Sequence, residues 1–242
     1  MPRTTEAVER RTTLSCGLWP WVELARRHGI DIERVCDHAG TEVSRLRQPF
    51  TRWPQSTCNR IAQFACDNFG TDAAMAATLT VEAGQFQLLE LLVRTSPTVG
   101  AGLRIGCWFF PLLHNGGRFK HERLRSGAHA ITWVPPDYTV HHAYVELTFG
   151  VTMLGIRRET HCEHAAAAEV SFRRPEVADP ALYERVLGCR PRFDTQEDRM
   201  VIDPRVAALR MVRRNAEVHD KARHLAQELL VGDDETTPVQ RL

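Results

Sequence analysis

The chain has 242 residues, enough for one large domain or two small ones with a real core, and its 43% apolar and 25% charged content is that of an ordinary globular protein. Lys+Arg of 31 against Asp+Glu of 30 leaves a formal charge of +1, which argues against a dedicated nucleic-acid binder. No run approaches the roughly 20 apolar residues of a membrane span, residues 1–11 lack the apolar stretch of a secretory signal, and seven cysteines without a Cys-x-x-Cys pair predict reduced thiols in the cytoplasm.

Residues 18–115 read as consecutive helices. Leu18–His28 stops at Gly29, and Ile30-Asp31 opens a second short helix through Ala39. Gly40 and Pro49 bracket a weaker turn. Pro54 opens the next helix, with Ile61, Ala65 and Phe69 on one side and Gly70 at its end, and Thr71 or Asp72 caps the one after. This half shows no strand-like alternation.

The densest apolar stretch is Leu88–Gly117. Ser96-Pro97 reads as an N-cap and first helical residue. Val99, Leu103, Gly106, Phe110 and Leu113 then form one helical stripe, widened by Ile105, Phe109 and Leu112, so the helix is expected to be buried on most sides. Gly102 and Gly106, four apart, leave room for a second helix or a ligand. Pro111 kinks or ends the helix, and Asn115-Gly116-Gly117 terminates it.

Beyond Gly117 the pattern changes. Arg118–Arg123 and Ala128–Val134 flank Arg125-Ser126-Gly127 as a hairpin, stopped by Pro135-Pro136. Residues 139–158 are helical, with Val140, Tyr144, Leu147, Val151 and Leu154 on one stripe. Ala168, Val170 and Phe172 alternate with polar residues, the mark of a half-buried strand. Asp179-Pro180 caps a short helix ended by Gly188, and Arg192–Asp194 with Arg199–Ile202 forms a second hairpin candidate. Asp203-Pro204 starts another helix, and Val218, Ala222, Leu225 and Leu229 mark a last amphipathic one. The expected fold class is therefore α+β: a helical bundle over 15–117, then a small antiparallel sheet with packed helices over 118–231, and a polar linker at 232–242.

Familiar catalytic spacings are missing. Gly100-x-Gly102-x-x-x-Gly106 follows a helix where a dinucleotide fingerprint needs a strand. His161-Cys162-Glu163-His164, with His141 and His142 upstream, is the best metal candidate by residue type, but no second pair has ligand spacing, so no metal site is assigned. Arg205, Arg210, Arg213 and Arg214 are followed by Glu217, Asp220 and Glu228, a solvated helix face rather than a nucleic-acid patch.

Gln87–Leu103 resembles a signature of the N-terminal sensor domains of AraC-type transcription regulators, in the branch typified by ornithine-utilisation regulators. Leu24-Ala25 with Gly29-Ile30-Asp31, Glu169–Pro175, and Tyr183, Leu187-Gly188, Pro191 and Phe193 extend the likeness over about residues 18–230. Leu187 stands where the family usually has Phe, and Ala73-Ala74-Met75 departs from its usual Leu-Gly-Leu. The resemblance implies a regulatory domain rather than an enzyme, with no cofactor, a small-molecule effector, a possible homodimer, and DNA contacts only through a helix-turn-helix domain outside this chain. An arabinose ligand does not transfer, since the sugar-binding version of such domains is a β-barrel and this chain opens with helices. The rivals are a metal- or haem-binding sensor and an unfamiliar enzyme. The effector is expected where the helical half meets the sheet, at Arg104, Trp108, Trp133 and Tyr144, with a carboxylate meeting Arg104.

Overall fold

The computed structural model describes residues 11–46, 48, 50–177 and 180–232. In chain order these form β1 (Thr12–Leu14), α1 (Trp19–Arg27), α2 (Ile32–Ala39), α3 (Val43–Leu46), β2 (Arg52–Pro54), α4 (Gln55–Phe69), α5 (Ala73–Thr78), α6 (Gln87–Arg94), α7 (Val99–Trp108), β3 (Arg118–Arg123) and β4 (His129–Val134). There follow α8 (Ala143–Thr160), β5 (Ala167–Ser171), α9 (Ala181–Leu187), β6 (Arg199–Ile202), α10 (Pro204–Ala207) and α11 (Ala216–Gly232). The fold is α+β.

A four-stranded antiparallel sheet runs in the order β3-β4-β6-β5. Its inward residues, including Phe119, Ile131, Trp133, Val170, Met200 and Ile202, pack with Val145, Phe149, Met153 and Ile156 of α8 in one core. A second core gathers α1, α2, α4 and α5 around Trp21, Trp53, Ile61 and Phe64, and takes in Ala143 and Leu147 of α8. An apolar helix contacted on opposite sides has no polar face to show, and α8 therefore lies between the two cores.

Several expectations need correction. The helical half does carry strands: β1 and β2 pair antiparallel, with Thr13 opposite Trp53. They are three residues each, too short for alternation to show. Helix α7 starts later than Ser96-Pro97 suggests, because the Ser96 hydroxyl donates back to Leu92 O, and Thr98, in an extended conformation, accepts from Ala101 N at 3.3 Å. The second hairpin does not form. Strand β6 sits between β4 and β5, while Arg192 bridges Ser171 in parallel. Met200 and Ile202 are fully buried, and burial at the sheet's centre outweighs the local turn.

On α11 the buried residues are Ala222 and Ala226, packed with Leu92, Phe109 and Leu112, whereas Val218, Leu225 and Leu229 of the predicted stripe face solvent. Gly102 and Gly106 admit α6: a Cβ at Gly102 would lie 3.2 Å from Val93 O, and one at Gly106 3.3 Å from Val93 Cγ2. The expected cap at Asp179 and residues 233–242 of the expected linker lie outside the described residues. Among the described residues no helix is long and apolar enough to cross a membrane.

Glu146 on α8 is 1% exposed. It accepts from Arg174 at 3.1 Å and from the Tyr183 hydroxyl, joining α8, the segment after β5, and α9. Burial raises its pKa, opposed by the Arg174 guanidinium. Removing one partner of such a pair strands the other charge, so Glu146→Ala is expected to lower unfolding free energy by about 3–5 kcal/mol. Urea denaturation at neutral pH measures this, and a loss under about 1 kcal/mol would mean the pair contributes little.

Candidate ligand-binding site

A cavity of about 190 Å³ opens between α6, α7 and α8 and the β3–β4 face. Helix α7 supplies Val99, Gly102, Leu103, Gly106 and Cys107, followed by Phe110 and Leu113, so the whole predicted stripe of this helix lines the cavity. The sheet contributes Phe119, Ile131 and Trp133, and α6 contributes Leu89, Glu90, Val93 and Arg94. From α8 come Tyr144, Leu147, Thr148, Val151, Thr152, Gly155, Ile156, Arg158 and Glu159. Tyr144 to Glu159 is fifteen positions, roughly 22 Å along a helix axis. The cavity is a slot laid along α8, and its walls are overwhelmingly apolar.

Two of the four expected site residues are on that wall. Trp133, 7% exposed, lies over Gly117, where a Cβ would collide with its ring, and packs edge or tilted against Phe110 and Phe119. The Tyr144 ring stacks near-parallel on His114, while its hydroxyl donates to Cys58 O at 3.1 Å, so it offers the cavity a ring face and no hydrogen bond. The other two do not line it. Arg104 is exposed, on the side of α7 where its charge acts on His121 and His129, and Trp108 at the helix end is 50% exposed. Both fall off the stripe 99-103-106, which already faces inward; an arginine on an apolar helix finds water here rather than a buried anion.

The cavity's charged and imidazole side chains lie towards the two ends of the slot. Near Tyr144, His114 is 4% exposed; its Nδ1 bonds the Thr13 hydroxyl at 2.8 Å, and its Nε2 has no hydrogen-bond partner among the described residues. At the far end, Glu159 is also 4% exposed. Arg158 Nε, Arg213 Nε and Arg94 Nε approach its carboxylate to 3.4, 3.5 and 3.8 Å, yet neither oxygen makes a hydrogen bond among the described residues. Arg158 instead donates to Glu90 at 2.9 Å. His114 Nε2 and the two Glu159 oxygens are thus the buried polar side-chain atoms of this lining without a hydrogen bond among the described residues.

His114, Arg94, Arg158 and Glu159 line the cavity without being singled out from the sequence. For the last the sequence holds a pattern: Tyr144, Thr148, Thr152 and Glu159 recur at helical spacing on a helix rich in apolar residues. The histidine-rich loop is separate. His161 and His164 are exposed at the C-terminal end of α8, an 18-residue helix roughly 27 Å long, whereas His141 and His142 stand at its start.

Burial, and secondarily the Arg52 charge, holds His114 down to about 4 from its ordinary 6.5. Between those values the unfolded chain takes a proton that the folded one refuses, so stability is full above pH 6.5 and falls as pH drops toward 4, by at most about 3 kcal/mol from this group. His114→Gln should therefore lose less stability than the parent between pH 7 and 4.5 in urea titrations. Equal losses would show that another group dominates.

Comparison with known proteins agrees with this architecture. The crystal structure of the transcriptional regulator CdpR from Pseudomonas aeruginosa superposes with a TM-score of 0.61 at 10% identity, covering 89% of this chain. The chain spans 64% of that protein's length. No curated protein sequence matches. The family described as the arabinose-binding domain of AraC transcription regulators, N-terminal, matches residues 29–211. The chain belongs to this family of AraC-regulator N-terminal domains.

Proposed function

We propose that the domain is a cytoplasmic sensor, regulatory rather than catalytic, whose small-molecule effector occupies the slot along α8. The observation that carries this reading is the pairing of a long apolar cavity with unbonded buried polar groups, His114 Nε2 and the Glu159 carboxylate, towards its two ends. A sugar is a poor fit, because its hydroxyls would lose water against apolar walls with few partners. An elongated, mostly apolar molecule suits the slot. Around Glu159, the guanidinium groups of Arg94, Arg158 and Arg213 outnumber the carboxylates of Glu90 and Glu159 by one, so a carboxylate on the effector balances the charge there. This assigns to Arg94 and Arg158 the role that sequence spacing suggests for Arg104.

A thermal-shift screen of apolar carboxylic acids tests the reading. A ligand at about a hundredfold its dissociation constant stabilises by about 2.7 kcal/mol, a melting shift of roughly 5–11 °C for a domain this size. Val151→Trp, which fills the slot, should abolish the shift, and Arg104→Ala and Trp108→Ala should keep it. A hit that stabilises Val151→Trp as much as the parent places the pocket elsewhere.

We also propose that the domain is a homodimer through α11. Val218, Leu225 and Leu229, exposed by 37%, 48% and 52%, form an apolar strip beside the buried Ala222 and Ala226 that anchor the helix. Sedimentation should show a dimer that Leu225→Glu dissociates. A dimer unaffected by that change has its interface elsewhere.

A further inference from the structure

A second cluster of chemistry-bearing side chains lies away from the slot, where the end of α4 meets the start of α8. Cys66 sits in the last turn of α4, and His141 and His142 immediately precede α8. One sulfur or nitrogen from each of the three lies within 4.8 Å of the others. We propose that Cys66, His141 and His142 form a binding site for a borderline-soft divalent cation of the zinc class, bound through one thiolate and two imidazoles with a fourth position open to water.

The surroundings suit ligation. His141 Nε2 is 3.1 Å from Gln63 Oε1, and its Nδ1 accepts from Ala143 N at 3.3 Å. The amide can only donate, so Nδ1 carries the lone pair and Nε2 the proton. His142 Nε2 lies 3.9 Å from Glu146 Oε1. Ligation through His141 Nδ1 would replace its bond from Ala143 N, with Gln63 behind Nε2 as the outer-shell partner that orients a metal-bound histidine, and the Glu146 carboxylate lies on the Nε2 side of His142. Both rings are neutral at pH 7, since burial lowers them, with the Arg174 charge acting in the same direction.

Charge favours a cation as well. Burial keeps the Cys66 thiol protonated, up at about 11, and of the charged side chains acting on it, Glu146, Asp67 and Asp72 are acidic against the single Arg174. A cation displaces the thiol proton to solvent and takes its place. Zinc–sulfur bonds of about 2.3 Å and zinc–nitrogen bonds of about 2.0 Å bring tetrahedral ligand atoms to roughly 3.5 Å of one another. Rotation of His142, whose side chain is 43% exposed, supplies the closure.

The site's position gives it a consequence. Asn59 of α4 already holds the segment before α8, accepting from His141 N at 3.0 Å and donating to Thr139 O at 2.8 Å. Tyr144, two residues past His142, bonds Cys58 O and stacks on His114 at the slot. A cation on Cys66, His141 and His142 would lock the same joint from its other side, one helical turn from the cavity wall.

The test uses the 242-residue chain, stripped by chelator and titrated with cobalt(II). One equivalent should produce a near-ultraviolet thiolate-to-cobalt charge-transfer band with visible bands of tetrahedral intensity, and zinc should displace both. Cys66→Ser should remove the charge-transfer band, and His142→Ala, at an exposed position that tolerates truncation, should abolish stoichiometric binding. Gln63→Leu, which removes the acceptor behind His141 together with a donor to Asp67, should weaken affinity about 10–100-fold. His164→Ala should change nothing. The absence of a thiolate band in the parent, a band that survives Cys66→Ser, or one that disappears with His164→Ala overturns the assignment.

Discussion

Helix α8 has apolar side chains around its circumference, and the fold is the solution to covering them. Val145, Phe149, Met153 and Ile156 are taken by the sheet, and Ala143 and Leu147 by the helices of the N-terminal half. Burying a large apolar side chain contributes about 1.5–3 kcal/mol, so a helix with this many cannot leave either side wet. The two halves that composition suggests are separate are thereby built on one shared rod. The slot runs along the stretch of that rod where the two coverings, together with α6 and α7, do not fully close.

Two buried glutamates on this helix show what the incomplete closure means. Glu146 and Glu159 are exposed by 1% and 4%, and both lie near arginines. Glu146 accepts from Arg174 and Tyr183, so its burial is compensated within the fold. Glu159 has three guanidinium groups at 3.4–3.8 Å and no hydrogen bond from any of them. Packing demands cannot explain that difference, because an apolar residue would fill the same place without an ionic cost. Glu146 is a fastening. Glu159 lines the cavity, and its burial is offset by the three nearby charges without a hydrogen bond from them.

How far the sequence discloses this follows from the range of the interactions involved. Periodicity and punctuation are local, and they locate α1, α4, α7, α8, the β3–β4 hairpin and the inward stripe Val99, Leu103, Gly106, Phe110 and Leu113. The pairing of β1 with β2, across some forty residues, leaves no local trace. The insertion of β6 between β4 and β5 is equally non-local, and a turn-like Thr195–Asp198 suggests a hairpin that the buried centre of the sheet overrides. Of the expected site residues, Trp133 and Tyr144 line the cavity, and bulky amphipathic rings near a domain junction are few enough for sequence to point to them. Arg104 lies outside the cavity lining: the isolation of a cation on an apolar helix can mean either a buried partner or a solvent-facing edge, and only the third dimension decides. The histidines mislead in the same way: His141 and His142 look like companions of His161 and His164 in sequence, and α8 holds them a helix-length apart while bringing Cys66 to them from α4.

Under the proposed function, the contacts around Glu159 also say where an effector would be felt. Arg94 is the last residue of α6, and the next residue, Thr95, accepts from Asn215 N through its backbone oxygen at 3.1 Å. His219 of α11 contacts Leu92 O and the Thr95 hydroxyl at 3.1 and 3.2 Å. Glu159 itself accepts from Val212 N through its carbonyl and draws Arg213 to its carboxylate. The residues leading into α11 are thus held by the same two elements, α6 and the end of α8, that form the charged end of the slot. An anion arriving there competes with Glu159 and Glu90 for Arg94 and Arg158, and the loosest of the existing pairs yield first. Those pairs adjoin the backbone bonds that seat α11, the helix that exposes Val218, Leu225 and Leu229 along one flank. In that reading, a charge arriving at this end of the slot acts on the two elements, α6 and the end of α8, that hold the residues leading into α11.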